Sequence, residues 1–183
     1  MTIPKWLHKD LECTIDALAD GIDESELEPG FSIDDESWEV QLKKGCRLLE
    51  ISRQISDETG PLKQYEFYCL TIEIAFASME RTIQAYLLKK EIMTPDERID
   101  KHSTCFEKAG RSGLLDETAS KLMIELWSRY RSQLYYRHDI PSRIGANAMQ
   151  SLAIKLHDYV IKTDDSLDTC CICKNRYKKE TGD

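Results

Sequence analysis

Apolar residues recur at helical spacing in every long segment of the chain, and alternation with a period of two is almost absent. We therefore predict an all-α protein. A first helix follows Pro4 and ends near Gly21, and a second covers about residues 34 to 58 with Ser32 or Asp34 as its cap. The second helix carries one apolar stripe, formed by Trp38, Leu42, Cys46, Leu49 and Ile55.

The segment from residue 61 to about 91 is apolar on nearly every face, as is typical of a helix at the centre of a bundle. Three of its glutamates repeat every seven residues and line one narrow stripe, formed by Glu66, Glu73 and Glu80. Two interpretations of this stripe stay open, a solvated seam and a face turned towards a functional cleft.

Three further helices complete the pattern. Thr94–Glu97 has a capping-box sequence, which predicts a short helix through about residue 109 that two glycines end. The next helix starts at Asp116 and ends before Pro141. Its predicted stripe, widened by neighbouring apolar residues, consists of Leu122, Met123, Leu126, Trp127, Tyr130 and Leu134. The last helix covers about residues 142 to 162 and is expected to bury Met149, Leu152, Ala153, Leu156 and Val160.

These elements predict an up-and-down four-helix bundle over residues 61–163. Residues 1–60 would form an acidic N-terminal helical extension, and residues 164–183 a polar tail that contains cysteines and lysines.

Charge is distributed unevenly along the 183 residues, whose formal net charge is −8. Residues 1–39 alone carry −10, whereas the rest of the chain carries +2. The acidic balance argues against a nucleic-acid partner only for the first fifth of the chain, because phosphate binding requires local positive charge. The acidic segment itself fits either a partner-binding surface or an internal mimic of RNA.

No apolar run of about 18 residues is present, and charges interrupt the start of the chain where a signal peptide would be apolar. The sequence therefore predicts a cytoplasmic protein without membrane contact, whose seven cysteines are reduced thiols. Three of them, Cys170, Cys171 and Cys173, contain a single CxxC, and the second pair that a zinc site needs is missing. We predict no metal and no cofactor, and leave the role of this cluster open.

The glycine-dependent enzyme motifs and HExxH are absent, so the candidate chemistry lies in an arginine-rich helix end. Arg131, Tyr135 and His138 are spaced i, i+4 and i+7, which places them in one row of an α-helix. Such a row suits phosphodiester cleavage in RNA, because a histidine transfers protons near neutral pH and a guanidinium stabilises the phosphate. The alternative is that these cations only stabilise the helix C-terminus.

Arg131-x6-His138, on a late helix of a predicted bundle, resembles the R-x(4–6)-H motif of the HEPN superfamily. The helix from Glu73 to Leu88, with its Ala-Tyr-Leu run, also looks like an early helix of HEPN domains. The resemblance covers about residues 61 to 163.

The resemblance implies a metal-independent RNA endonuclease that acts as a homodimer, with Arg131 binding phosphate and His138 as general acid or base. Ser132, Tyr135, Tyr136 and Glu80 are the expected supporting residues, Glu80 as the carboxylate that orients a guanidinium. Some HEPN toxins pair with a nucleotidyltransferase-type antitoxin, so the resemblance makes such an antitoxin, or another protein, a candidate partner, although one chain does not indicate a pairing.

Two departures from the HEPN pattern keep a second function open. Ser132 stands where the family often has Asn, Asp or His, and Tyr136 stands where the shortest motif spacing would require His. The alternative is a catalytically inactive HEPN-like module that binds a protein partner or a nucleotide.

Overall fold

The computed structural model describes residues 31–32, 34–56, 67–97, 102–131 and 142–167, together with Thr14, and gives only the backbone of Tyr130 and Arg131. These residues form helices and turns without any strand, so the predicted all-α bundle is confirmed. The helices are α1 (Ser37–Ser56), α2 (Tyr68–Lys89), α3 (His102–Arg111), α4 (Glu117–Glu125) and α5 (Arg143–Thr163). A π-helical segment, Leu126–Arg131, continues α4, and a short 3-10 helix, Asp165–Leu167, follows α5.

The chain divides into two compact units, Met1–Asp35 and Glu36–Asp183. In the described part of the first unit, Ser32 and Asp35 close a turn in which the Asp35 carboxylate accepts the Ser32 N–H at 3.0 Å. The predicted helix after Pro4 lies outside the described residues, except for the helical Thr14. The CxxC cluster of the polar tail lies outside them as well.

Helix α1 buries the stripe that its sequence predicts, from Trp38 to Ile55. Its first turn is capped by Glu39, whose carboxylate accepts the Glu36 N–H at 2.9 Å, and not by Ser32 or Asp34. This helix, which the sequence assigns to the N-terminal extension, packs along α2 and supplies core residues.

Helix α2 is the centre of the bundle, as its all-round apolar sequence predicts. It packs against α1, α3, α5 and the π-helical segment. Its largest fully buried side chains are Phe76, Met79, Ile83 and Leu87. A helix covered on all sides has few positions left for charged residues, so those that it carries sit at specific sites.

A close helix contact joins α1 and α2 at Gly45. A Cβ atom there would lie 2.9 Å from Thr82 Oγ1 and 3.3 Å from the Thr82 backbone nitrogen. The Ser78 hydroxyl donates to the Gly45 carbonyl at 2.8 Å across the same crossing. Gly45 is therefore required by the interhelix distance, which any side chain would increase.

A buried polar cluster lies beside this crossing and ties in α5. The Thr82 hydroxyl donates to the Ser78 carbonyl at 2.9 Å, so its oxygen accepts from His157 Nδ1, also at 2.9 Å. His157 Nε2 is then the acceptor for the Cys46 thiol at 3.3 Å. The cluster joins three helices through groups that are all at most 2% exposed.

Several local predictions are wrong. Thr94–Glu97 forms a turn and not a helix start, held by the ion pair of Glu97 with Lys108 of α3, which lowers the pKa of Glu97. Leu122 is 59% exposed and Leu152 37% exposed, because the core takes the adjacent Met123 and Ala153 instead.

Beyond α5, the described chain continues through the short 3-10 helix to Leu167, and contacts of Asp164 hold this end. The Asp164 carboxylate accepts from the Ser166 N–H at 3.1 Å and the Ser166 hydroxyl at 2.7 Å, and lies 2.9 Å from Lys90 Nζ. These contacts lower the pKa of Asp164 to about 2, with the Lys90 hydrogen bond as the largest cause. Leu167 is fully buried as a result.

We expect Gly45→Ala to lower the free energy of unfolding by about 1–3 kcal/mol, because the added methyl separates α1 from α2 and displaces Thr82. Urea denaturation measures this change. Gly145→Ala in α5 is the matched control, since a Cβ atom added there would have the Ser142 hydroxyl as its nearest neighbour, at 3.3 Å. Helix propensity predicts that the control is neutral or gains up to about 1 kcal/mol. Equal effects of both substitutions would contradict the close-contact interpretation.

We expect Asp164→Asn to lower the free energy of unfolding at neutral pH by about 1 kcal/mol or less, because it removes the charge that Lys90 contacts. The native pKa of Asp164 is below the usual 3.8, so its stabilisation is complete above about pH 4 and disappears as the pH falls to about 2. Denaturation curves of wild type and variant should therefore converge in acid. Asp165→Asn is the control, and a constant difference at all pH values would refute the prediction.

Candidate functional site

Only part of the predicted site lies in the described residues. Glu80 is described with its side chain, and Arg131 by its backbone as the last residue of the π-helical segment. Ser132, Tyr135, Tyr136 and His138 lie outside the described residues, so their predicted roles stay predictions.

Glu80 is a buried carboxylate on α2, 8% exposed. Its Oε1 accepts a hydrogen bond at 2.5 Å from Nδ1 of His102, the first residue of α3. A carboxylate needs such a partner to be buried at low cost, and His102 supplies it. Glu80 is therefore turned towards the neighbouring helix α3 and not towards solvent. Glu73, seven residues earlier on the same glutamate stripe, is half-buried.

His102 is held on two sides. Besides the Glu80 carboxylate, the indole of Trp127 covers its ring, with centroids 3.9 Å apart and planes inclined by 49°. Trp127 in turn meets Phe76 of the core edge to face, at a centroid distance of 5.8 Å. The imidazole is therefore fixed in orientation by a carboxylate and by an aromatic ring that is itself anchored to the core.

The second ring nitrogen of His102 is open. The side chain is 49% exposed, and Nε2 has no hydrogen-bond partner within the ranges that the structure describes. Because Nδ1 donates to the carboxylate, Nε2 carries the lone pair in the neutral ring. A carboxylate behind an imidazole with its far nitrogen in solvent is an arrangement suited to proton transfer.

The π-helical segment carries Trp127 into this site. It packs against both α2 and α3, and the adjacent Leu126 and Trp127 both contact the core. Isolated π-helical turns are rare and often occur at functional sites. The segment replaces the regular α-helix that the sequence predicts here, and its last residue, Arg131, begins the predicted arginine and histidine row.

The thiol beside Glu80 is inert. Cys105 Sγ lies 3.9 Å from the Glu80 carbonyl and is fully buried. Burial raises the pKa of the Cys105 thiol above its usual value, and the negative charge of Glu80 raises it further. A buried thiol held protonated is not a nucleophile.

The cluster of Cys46, Thr82 and His157 resembles a nucleophile and base pair in its distances alone. All three side chains are at most 2% exposed, so no substrate reaches them, and they serve the packing of α1, α2 and α5. Both ring nitrogens of His157 are engaged there, which leaves neither for a zinc ion. Among the described residues, no group of three or more His, Cys, Asp or Glu side chains is arranged to hold a metal ion.

Sequence reasoning named Glu80 as a carboxylate that orients a guanidinium, which stays a prediction, and did not single out its partner His102 or the contact of Trp127. Glu80 and His102 are 22 residues apart, so no local spacing signals their pairing. The available signal was indirect: a carboxylate on an otherwise apolar central helix requires a partner, and His102 lies in the next predicted helix.

Comparisons with known proteins identify a family without an assigned function. No curated protein and no solved structure gives a significant match to the chain. None of the described helices is long and apolar enough to cross a membrane. Residues 3–173 match the family model described as "Domain of unknown function (DUF8154)", and the chain therefore belongs to that family.

Proposed function

We propose that the chain is a metal-independent RNA endonuclease of HEPN type, in which Arg131 binds the phosphate and His138 acts as general acid or base. Its partners under this proposal are RNA, a second copy of the chain and a protein, such as a nucleotidyltransferase-type antitoxin, that controls the activity.

The supporting observation is the way in which the arginine-bearing segment is attached to the bundle. Arg131 ends a π-helical segment, and four residues earlier Trp127 packs on His102 and Phe76 next to the buried Glu80 carboxylate. A catalytic guanidinium has to be held in position, because misplacement by about 1 Å costs on the order of 100-fold in rate. An element fixed to the core by an indole provides that rigidity.

The local chemistry supports the same reaction. A guanidinium remains charged at all relevant pH values and stabilises the charge that develops on the phosphate in the transition state. The buried Glu80 carboxylate and the half-exposed His102 imidazole lie beside Trp127 of the same segment, and groups of these two types take part in proton transfer without a metal ion.

The test is cleavage of a structured RNA by the purified full chain in EDTA. We expect wild-type protein to cleave, and Arg131→Ala and His138→Ala to lose at least about 100-fold in the single-turnover rate, because each removes a transition-state interaction. Arg53→Ala on α1 and His8→Ala in the first compact unit are matched controls that should keep wild-type rates.

Two results would overturn the proposal. Equal cleavage by wild type and both site variants would identify a contaminating nuclease. RNA binding by the wild type, measured by fluorescence anisotropy, without cleavage under any of these conditions would favour the inactive binding module instead.

A further inference from the structure

We propose that Arg81, Gln84 and Gln41 form a binding site for a phosphate group between α1 and α2. The proposal uses none of the residues of the proposed function and does not depend on it. The phosphate group belongs to a free phosphate, to a nucleotide or to the backbone of RNA, and the experiment below separates these sources.

The Arg81 guanidinium is held through one of its three nitrogens. NH1 donates to Oε1 of Gln41 on α1 at 3.1 Å and to Oε1 of Gln84 on α2 at 3.0 Å. Arginine has five N–H donors, so the three on Nε and NH2 remain, and none of them has an acceptor within the ranges that the structure describes. The two glutamines therefore fix the plane of the guanidinium and leave the edge that matches two oxygens of an oxyanion.

Arg81 also lacks the carboxylate partner that other basic side chains have. Each of five others lies within 4.0 Å of a carboxylate, namely Arg53, Lys90, Lys108, Lys121 and Arg129. No such ion pair forms at Arg81 in the described part of the chain, although its side chain is half-buried. Amide oxygens orient a guanidinium without neutralising it, so a bound anion would supply the charge that the site lacks.

The surroundings on α2 offer no internal anion. The residues three and four positions from Arg81, which are its neighbours on the helix surface, are Ala77, Ser78, Gln84 and Ala85. The carboxylate of Glu80, the preceding residue, points to α3, where it binds His102. The open edge of Arg81 is thus available to an anion from outside the bundle.

Gln84 adds a second donor. Its side chain is only 7% exposed, yet its Nε2 has no hydrogen-bond partner among the described residues. A buried amide donor without an acceptor is costly, and a ligand oxygen would supply that acceptor. By standard amide bond lengths, Nε2 of Gln84 and Nε2 of Gln41 each lie within about 5.5 Å of Arg81 NH1. Donors of three side chains in this range suit the several oxygens of a phosphate better than the two of a carboxylate.

A ligand reaches the guanidinium from solvent. Arg81 and Gln41 are half-buried and not buried, and so is Ala77, which lies one turn before Arg81 on the same face of α2. Because the side chain of Ala77 is a single methyl group, no long side chain at that position covers the guanidinium.

The test is isothermal titration of the purified full chain with inorganic phosphate at constant ionic strength. We expect saturable binding to wild type, and binding at least about tenfold weaker to Arg81→Ala, because a charge-assisted hydrogen-bonding partner is lost. Gln84→Glu should weaken binding by at least as much, because it provides a carboxylate to Arg81 from the protein itself at almost unchanged shape. Circular dichroism checks that both variants are folded.

Arg111→Ala is the matched control, since it removes an exposed arginine at the end of α3 and should bind phosphate as wild type does. Adenosine 5′-monophosphate and a fully 2′-O-methylated RNA, which cannot be cleaved, separate the sources of the phosphate group. Binding of this RNA that Arg81→Ala and Gln84→Glu weaken identifies the RNA backbone. Binding of phosphate or the nucleotide without the RNA identifies a small ligand, and either pattern supports the site.

Three results would overturn the proposal. The first is the absence of saturable phosphate binding to wild type. The second is an equal loss of binding in Arg111→Ala, or no loss in Gln84→Glu, because both would mean attraction by overall charge. The third is acetate binding as tightly as phosphate, which would indicate a carboxylate site. None of these results depends on RNA cleavage in EDTA, which tests the proposed function separately.

Discussion

The close crossing of α1 and α2 at Gly45 is the constraint on which the rest of the bundle depends. The two helices approach so closely that a Cβ atom at Gly45 would lie only 2.9 Å from Thr82 Oγ1, which is too short for van der Waals contact. That hydroxyl oxygen also accepts a hydrogen bond from His157 of α5, so the same contact helps to position a third helix. Dispersion forces and buried hydrogen bonds cooperate here, because the polar groups are satisfied only when all three helices are in register.

This packing determines which side of α2 carries the candidate site. Helix α1 packs on α2 at Ser78 and Thr82, and α5 contacts it at Thr82, whereas the Glu80 carboxylate contacts the first residue of α3. A carboxylate buried at that junction demands a donor, and His102 provides it at the first residue of α3. The location of the candidate site is therefore a consequence of core packing, and not of a separate active-site loop.

Much of the fold was predictable because the core helices bury residues at regular spacing. The stripe of α1, the all-round burial of α2 and the extent of α5 all follow from apolar periodicity. The buried face of α4 could not be predicted in the same way, because Leu122 and Met123 are neighbours and periodicity alone does not decide which of them the core buries. The helix start predicted at Thr94–Glu97 was wrong, because a capping-box sequence also suits a turn, and here the Glu97 side chain pairs with Lys108 of α3.

The candidate site was predictable only in part, and the reason lies in the range of the interactions that build it. Glu80 stood out because it is charged within an apolar helix, which is local information. The roles of His102 and Trp127 depend on the way that α3 and the π-helical segment meet α2, which no spacing along the chain encodes. Within the π-helical segment, the adjacent Leu126 and Trp127 both pack against the core. The same segment places the indole of Trp127 on His102 and ends at Arg131, so the residues that complete the core also border the candidate site.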